Sequence, residues 1–225
     1  MIHNIPTRED RTKTIVLFDL DGTLIDSTEA ILESFGESFR SFGADMPEEE
    51  RVKSLVGLPL AEMFQRLGVA EESVDRHVES YKRHYRSVHI EKTVLLPGAR
   101  EAVEYAASMA RLGIVTTKTG RYSVELLEHF GIMNLFEVLI GSEDVSMHKP
   151  HPQPIWSALE RMGYEDAECW MIGDTCVDMF SAAAAGINAI AVECGYGRVE
   201  ELRLCAPKTA KSVQEALTSI FGEQK

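Results

Sequence analysis

The sequence predicts an α/β fold, a doubly wound parallel sheet interrupted by an inserted all-helical cap. Three observations predict it. Short apolar strand candidates alternate with helical stretches through the second half of the chain, the pattern of a parallel sheet covered on both faces. From residue 27 to about 90 the hydrophobic period is helical, with few strand candidates. A first strand candidate lies before that stretch, so the α/β unit starts, breaks off and resumes. The expected organisation is 1–24 for the first strand and the loop behind it, 25–93 for the cap, and 94–225 for the rest of the core.

Taken in order, "KTIVLFDL" (13–20) reads as a short buried strand. Ile31, Phe35, Phe39 and Phe42 then recur every three or four residues, as on one helix face. Pro47 precedes "EEE", the acidic start expected at a helix N-terminus. Val74, Val78, Tyr81, Tyr85 and Val88 form the apolar stripe of a long amphipathic helix. The stretches "LGIVTT" (112–117), "FEVLI" (136–140), "CWMIG" (169–173) and "NAIAV" (188–192) are strand candidates. Helices are expected between them near 121–130, 152–162 and 176–185, and a last one near 212–221.

Composition narrows the function. With 23 basic and 36 acidic residues the formal net charge is −13, which disfavours nucleic acid and anionic membrane as partners. No apolar run approaches the ~18 residues of a membrane span, and the polar "MIHNIPTREDRTK" lacks the apolar stretch of a signal peptide. A cytoplasmic protein is expected. Cys169, Cys176, Cys194 and Cys205 form no CxxC pair and have no zinc spacing, so free thiols are expected, with Cys176 a passive occupant of its position.

In a doubly wound sheet, sites form at the carboxyl ends of the strands. Asp19 and Asp21, Thr116 and Thr117, Lys149, and Asp174 and Asp178 all fall at such ends. Residues i and i+2 of an extended chain point to one side, so Asp19 and Asp21 face one spot, and Gly22 permits a tight departure behind them. Two adjacent carboxylates repel unless a cation or a shared proton relieves them. Asp174 and Asp178 stack on the first turn of a helix, and several carboxylates at one edge make an oxygen-rich nest for Mg²⁺. Thr116 offers a hydroxyl and backbone amides to a phosphate, and Lys149, held extended by Pro150, supplies positive charge.

"FDLDGTLIDS", "VTTK", "KPHPQP" and "GDTCVD" together resemble the four ordered motifs of the haloacid dehalogenase-like phosphohydrolases. Within that superfamily the chain is most similar to phosphoglycolate phosphatases and related small-molecule phosphatases, over almost its whole length. Their second motif often reads Thr-Asn-Lys; here it is Thr116-Thr117-Lys118, which keeps the phosphate-binding threonine. The resemblance implies a Rossmann-like core with a cap and a Mg²⁺-dependent phosphatase acting on a small phosphorylated metabolite, as a monomer or homodimer. It implies Asp19 as nucleophile, forming an aspartyl phosphate, and Asp21 as general acid and then base. Mg²⁺ would sit on Asp19, the backbone carbonyl of Asp21 and Asp174, while Asp178 orients the ion's waters or Lys149. Thr116 and Lys149 would neutralise the transferring phosphoryl group. "VGLPL" (56–60) resembles the cap loop that faces the site in these proteins, making Gly57 a specificity candidate, whereas the basic run "KRHYRSVH" (82–89) reads as a solvated helix face. A pyrophosphatase, a sugar-phosphate mutase, and a slowly turning over phospho-accepting signalling module are the competing functions.

Overall fold

The computed structural model of the chain describes residues 13–164 and 166–222. The polar N-terminal stretch, apart from Lys13, and the last residues of the expected core range (1–12 and 223–225) lie outside the described residues.

The apolar run at 14–18 becomes β1 (Thr14–Phe18), the centre of a six-stranded sheet. Along it the side chains alternate. Val16 and Phe18 enter one hydrophobic cluster and Ile15 and Leu17 another, so both faces are buried. The remaining strands are β4 (Arg111–Val115), β5 (Val138–Ile140), β6 (Glu168–Gly173), β7 (Asn188–Val192) and β8 (Thr209–Ala210). Their order is β5-β4-β1-β6-β7-β8, and every pairing is parallel. The first cluster is completed by α5 (Ala99–Met109), α6 (Gly120–His129) and α10 (Val213–Phe221). The second is completed by α7 (Gln153–Met162), α8 (Cys176–Ala185) and α9 (Val199–Cys205). The doubly wound α/β core is as expected.

Between β1 and α5 the chain runs through a short antiparallel ribbon, β2 (Ile25–Asp26) with β3 (Val94–Leu95), and between those two strands it is helical. There lie α1 (Thr28–Ser41), α2 (Glu49–Lys53), α3 (Leu60–Arg66) and α4 (Glu71–Val88). Ile31, Phe35 and Phe39 of α1 meet Phe64 of α3 and Tyr81 and Tyr85 of α4 in a third hydrophobic cluster. Phe35 packs on Phe64 and on Tyr81 with ring centroids 4.7 and 4.9 Å away. Phe42 departs from its expected place. The helix ends at Ser41, and Phe42 lies exposed under the Arg76 guanidinium, 4.9 Å from its ring centre. Among the described residues no helix is long and apolar enough to cross a membrane.

The cysteines require a correction. Cys169 and Cys194 are free, but Cys176 and Cys205 are disulfide-bonded. Cys176 opens α8 and Cys205 closes α9, and the packing of these helices sets their Cα atoms 5.8 Å apart, inside the span a disulfide bridges. A pair 29 residues apart carries no local spacing signature; tertiary packing brings it together.

Candidate active site

Three strand ends and one loop converge. Asp19 follows β1, Thr116 follows β4, Asp174 follows β6, and Lys149 lies in the loop after β5. Asp19, Lys149, Asp174 and Asp178 are buried together. The carboxylates of Asp19, Asp174 and Asp178 each bring an oxygen within 4.8 Å of the others.

Among the described residues Lys149 is the one ammonium bonded into this group. Its Nζ donates to Asp19 Oδ1 at 2.8 Å, Asp178 Oδ1 at 2.5 Å and the Val115 carbonyl at 3.0 Å, so its three protons meet three acceptors. Burial opposes its charge, but Asp178 and Asp19 override burial and hold its pKa above the ordinary lysine value. Asp178 is fixed in turn at the head of α8, where its Oδ2 accepts from the Thr175 amide at 3.1 Å and the Thr175 hydroxyl at 2.7 Å, a capping box.

Three buried carboxylates against a single ammonium leave negative charge uncompensated. Burial, opposed by Lys149 and reinforced by Asp178, pushes the Asp19 pKa up to about 6. Asp174 is driven well above the usual carboxylate range by burial first, then by Asp19 and Asp178. Oxygen ligands with excess negative charge in a dry pocket fit a hard divalent cation.

Asp21 is separate. It is two residues from Asp19, yet its carboxylate accepts two hydrogen bonds from Lys118 Nζ, at 2.9 and 2.8 Å, and another from the Ser27 hydroxyl. Lys118 was quoted in its motif but given no task by sequence reasoning. Its side chain is largely enclosed, its ammonium stands 4.6 Å from the centre of the Tyr85 ring, and Asp21 holds its pKa well above normal although burial opposes this. Thr116 is buried at the end of β4. Its amide donates to the Ile140 carbonyl at 3.0 Å and its Oγ1 accepts the Lys118 amide at 3.1 Å. Thr117 Oγ1 donates to the Gly57 carbonyl at 3.0 Å, tying the cap loop to the core. Asp21, Thr117, Gly57 and Lys118 all line one cavity of about 320 Å³ between cap and core.

Sequence reasoning also missed the loop after β7. The Tyr196 amide donates to Asp174 Oδ2 at 2.7 Å, while the Thr23 hydroxyl donates to Asp174 Oδ1 at 3.2 Å. A Cβ at Gly195 would stand 2.1 Å from Asp174 Oδ2, so only glycine lets this loop close on the carboxylate. The available signal was the pair of glycines in "ECGYG" directly behind a strand end. Gly22 embraces the same carboxylate from the other side, with φ +79° and an added Cβ 2.2 Å from Asp174 Oδ2. Gly22→Ala is therefore expected to cost more than about 1 kcal/mol in the backbone alone. By displacing Asp174 it is expected to weaken divalent-cation affinity by roughly 10–100-fold. Isothermal titration with Mg²⁺ measures this, and unchanged affinity would contradict the assignment of Asp174.

The family model "Haloacid dehalogenase-like hydrolase" matches residues 16–192. The chain is 32% identical over 182 residues to the pyrophosphatase PpaX of Halalkalibacterium halodurans, covering 80% of this chain and 83% of that one. It is 30% identical over 212 residues to the phosphoglycolate phosphatase of Chromobacterium violaceum, covering 89% and 93%. A solved structure of a predicted phosphatase from Clostridium acetobutylicum superposes with a TM-score of 0.86 at 27% identity, covering 94% of this chain and 99% of that one. Proteins with different substrates thus lie at almost equal distance.

Proposed function

Because the chain belongs to the haloacid dehalogenase-like hydrolases, as a phosphoric monoester hydrolase, we propose that it cleaves a small phosphorylated metabolite with Mg²⁺ through an aspartyl phosphate on Asp19. The observation that carries this reading is the division of labour between two carboxylates two residues apart. Asp19 lies in the buried group with Lys149, Asp174 and Asp178, whereas Asp21 lines the cavity under the cap.

Asp19 and Asp174 are the carboxylates that would hold the ion, with Asp178 behind them on Lys149. When bound, Mg²⁺ supplies positive charge against these carboxylates and the phosphoryl oxygens. The chain's own residues do the rest. A carboxylate oxygen of Asp19 attacks phosphorus while the Asp21 carboxyl, once protonated and released by Lys118, gives its proton to the leaving oxygen, and the P–O bond to the alcohol breaks. Asp21 then takes a proton from water, which attacks the aspartyl phosphate and releases phosphate with Asp19 restored. Lys149 holds Asp19 in place and offsets charge as the phosphoryl group transfers. The Thr117–Gly57 hydrogen bond keeps the cap loop over the core, which excludes competing water from the first step.

The test is phosphate release from p-nitrophenyl phosphate. Turnover is expected with Mg²⁺, to vanish on adding EDTA, and to return when Mg²⁺ is restored in excess. Turnover indifferent to EDTA refutes the metal assignment. A persistent phospho-aspartate without phosphate release identifies a signalling module instead.

A further inference from the structure

The cavity under the cap has a composition that bears on the substrate. It adjoins Asp21, the residue assigned to protonate the leaving oxygen, and Asp19 is not among its lining residues. It is therefore the space for the alcohol that departs, rather than for the phosphoryl group. Its volume of about 320 Å³ reaches the lower end of small-molecule sites, roughly 300–1,000 Å³. A two-carbon acid or a single phosphate leaves most of that space unfilled.

The walls are largely apolar and aromatic. Ile31, Val56, Met63 and Val78 contribute aliphatic surface, and Tyr81 and Tyr85 contribute rings whose planes lie within 11° of each other. Charged and titratable groups are few: Asp21 engages Lys118, Glu143 accepts from the Gly120 and Arg121 amides, and Lys82 and His148 complete the set. Among the described residues no arginine lines the cavity. A second anionic group, the carboxylate of phosphoglycolate or the second phosphate of pyrophosphate, would find only the partly exposed Lys82 and His148 to meet it. Desolvating such a group without a buried partner is costly. A flat, uncharged ring instead gains apolar and aromatic contact on the walls.

We propose that the leaving group is a neutral alcohol carrying a planar ring, so that the substrate is a ring-bearing phosphate monoester. This rests on the phosphatase reading above. It departs from both activities named among the relatives, each of which releases a compact anion.

The experiment compares kcat/KM of the full chain, with Mg²⁺, for benzyl phosphate, a nucleoside 5′-monophosphate, ethyl phosphate, phosphoglycolate and pyrophosphate. Benzyl and ethyl phosphate both release primary alcohols and differ mainly in the ring. At least one ring-bearing ester is expected to exceed ethyl phosphate, phosphoglycolate and pyrophosphate by tenfold or more. Phosphoglycolate or pyrophosphate as the best substrate overturns this inference and leaves the phosphatase reading standing. Release from none of the five overturns both. Val78→Trp fills the cavity and is expected to narrow the gap between benzyl and ethyl phosphate. A gap that survives in a folded V78W protein, judged by circular dichroism, overturns the assignment of this cavity. The substrate series on the unmodified chain decides the matter if V78W does not fold.

Discussion

Asn at position 19 is expected to abolish turnover while making the metal-free fold more stable. The activity half follows from chemistry. An amide oxygen is a far poorer nucleophile than a carboxylate, and removing a nucleophile that works as part of a set costs on the order of 10⁴-fold or more in kcat. The stability half follows from burial. Asp19 is carried into a dry pocket beside two other carboxylates, and its pKa rises from the ordinary 3.8 to about 6. A carboxyl group whose folded pKa is raised contributes its stability below the unfolded value, and that contribution is lost as pH rises through the folded value. At pH 8 without metal the ionised Asp19 therefore works against the fold, and Asp19→Asn removes the penalty while keeping an oxygen for Lys149. The melting temperature of the EDTA-treated variant should exceed that of the parent at pH 8, and the difference should shrink as pH falls from about 6 towards 4. Thermal unfolding across that range, beside steady-state kinetics, tests both halves. A variant that is inactive and less stable at every pH would mark Asp19 as a structural residue.

What the sequence made legible was local, and the reason is physical. A strand that ends in Asp-x-Asp-Gly, or a helix that starts with Gly-Asp-Thr, declares its chemistry through bonds to near neighbours. Thr175 and Asp178, for instance, cap α8 within four residues. Alternation of apolar segments likewise sufficed for the parallel core and for the helical run between β2 and β3. The illegible parts were contacts between distant segments. Lys118 lies 97 residues from Asp21, and only the pairing of β4 with β1 brings the loops behind them together. The loop carrying Tyr196 reaches Asp174 because β7 pairs with β6. Cys176 and Cys205 meet through packing of α8 on α9, so thiol spacing misled. The ribbon at the base of the helical run has strands of two residues each, too short for any hydrophobic period. The basic run at 82–89 divides. Arg83 reaches Glu79 on the exposed face as expected, whereas Lys82 lines the cavity and His89 is buried against Glu125.

Methionine at position 149 is expected to damage both stability and activity, which separates it from Asp19→Asn. Lys149 satisfies two buried carboxylates and one backbone carbonyl with one nitrogen. Removing a single partner from a buried ionic group leaves charge without compensation, at a cost of about 3–5 kcal/mol. In the metal-free protein the loss should be largest at pH 8, where Asp19 is ionised, and smaller at pH 5, where it is protonated. Urea unfolding at the two pH values measures it, with the midpoint moving and the slope unchanged. Arginine should not rescue the site, because a planar guanidinium cannot direct three bonds from the one point that the ammonium occupies. A second substitution discriminates further. Asp178→Asn in the Lys149→Met background removes one of the orphaned carboxylates and should recover part of the stability. It should recover none of the activity. The deficit there, on the order of 10²–10³ in kcat, comes from the missing positive charge beside the phosphoryl group rather than from the fold. If stability and activity instead return together, Lys149 serves only to hold the buried carboxylates, and charge neutralisation at the phosphoryl group falls to other residues.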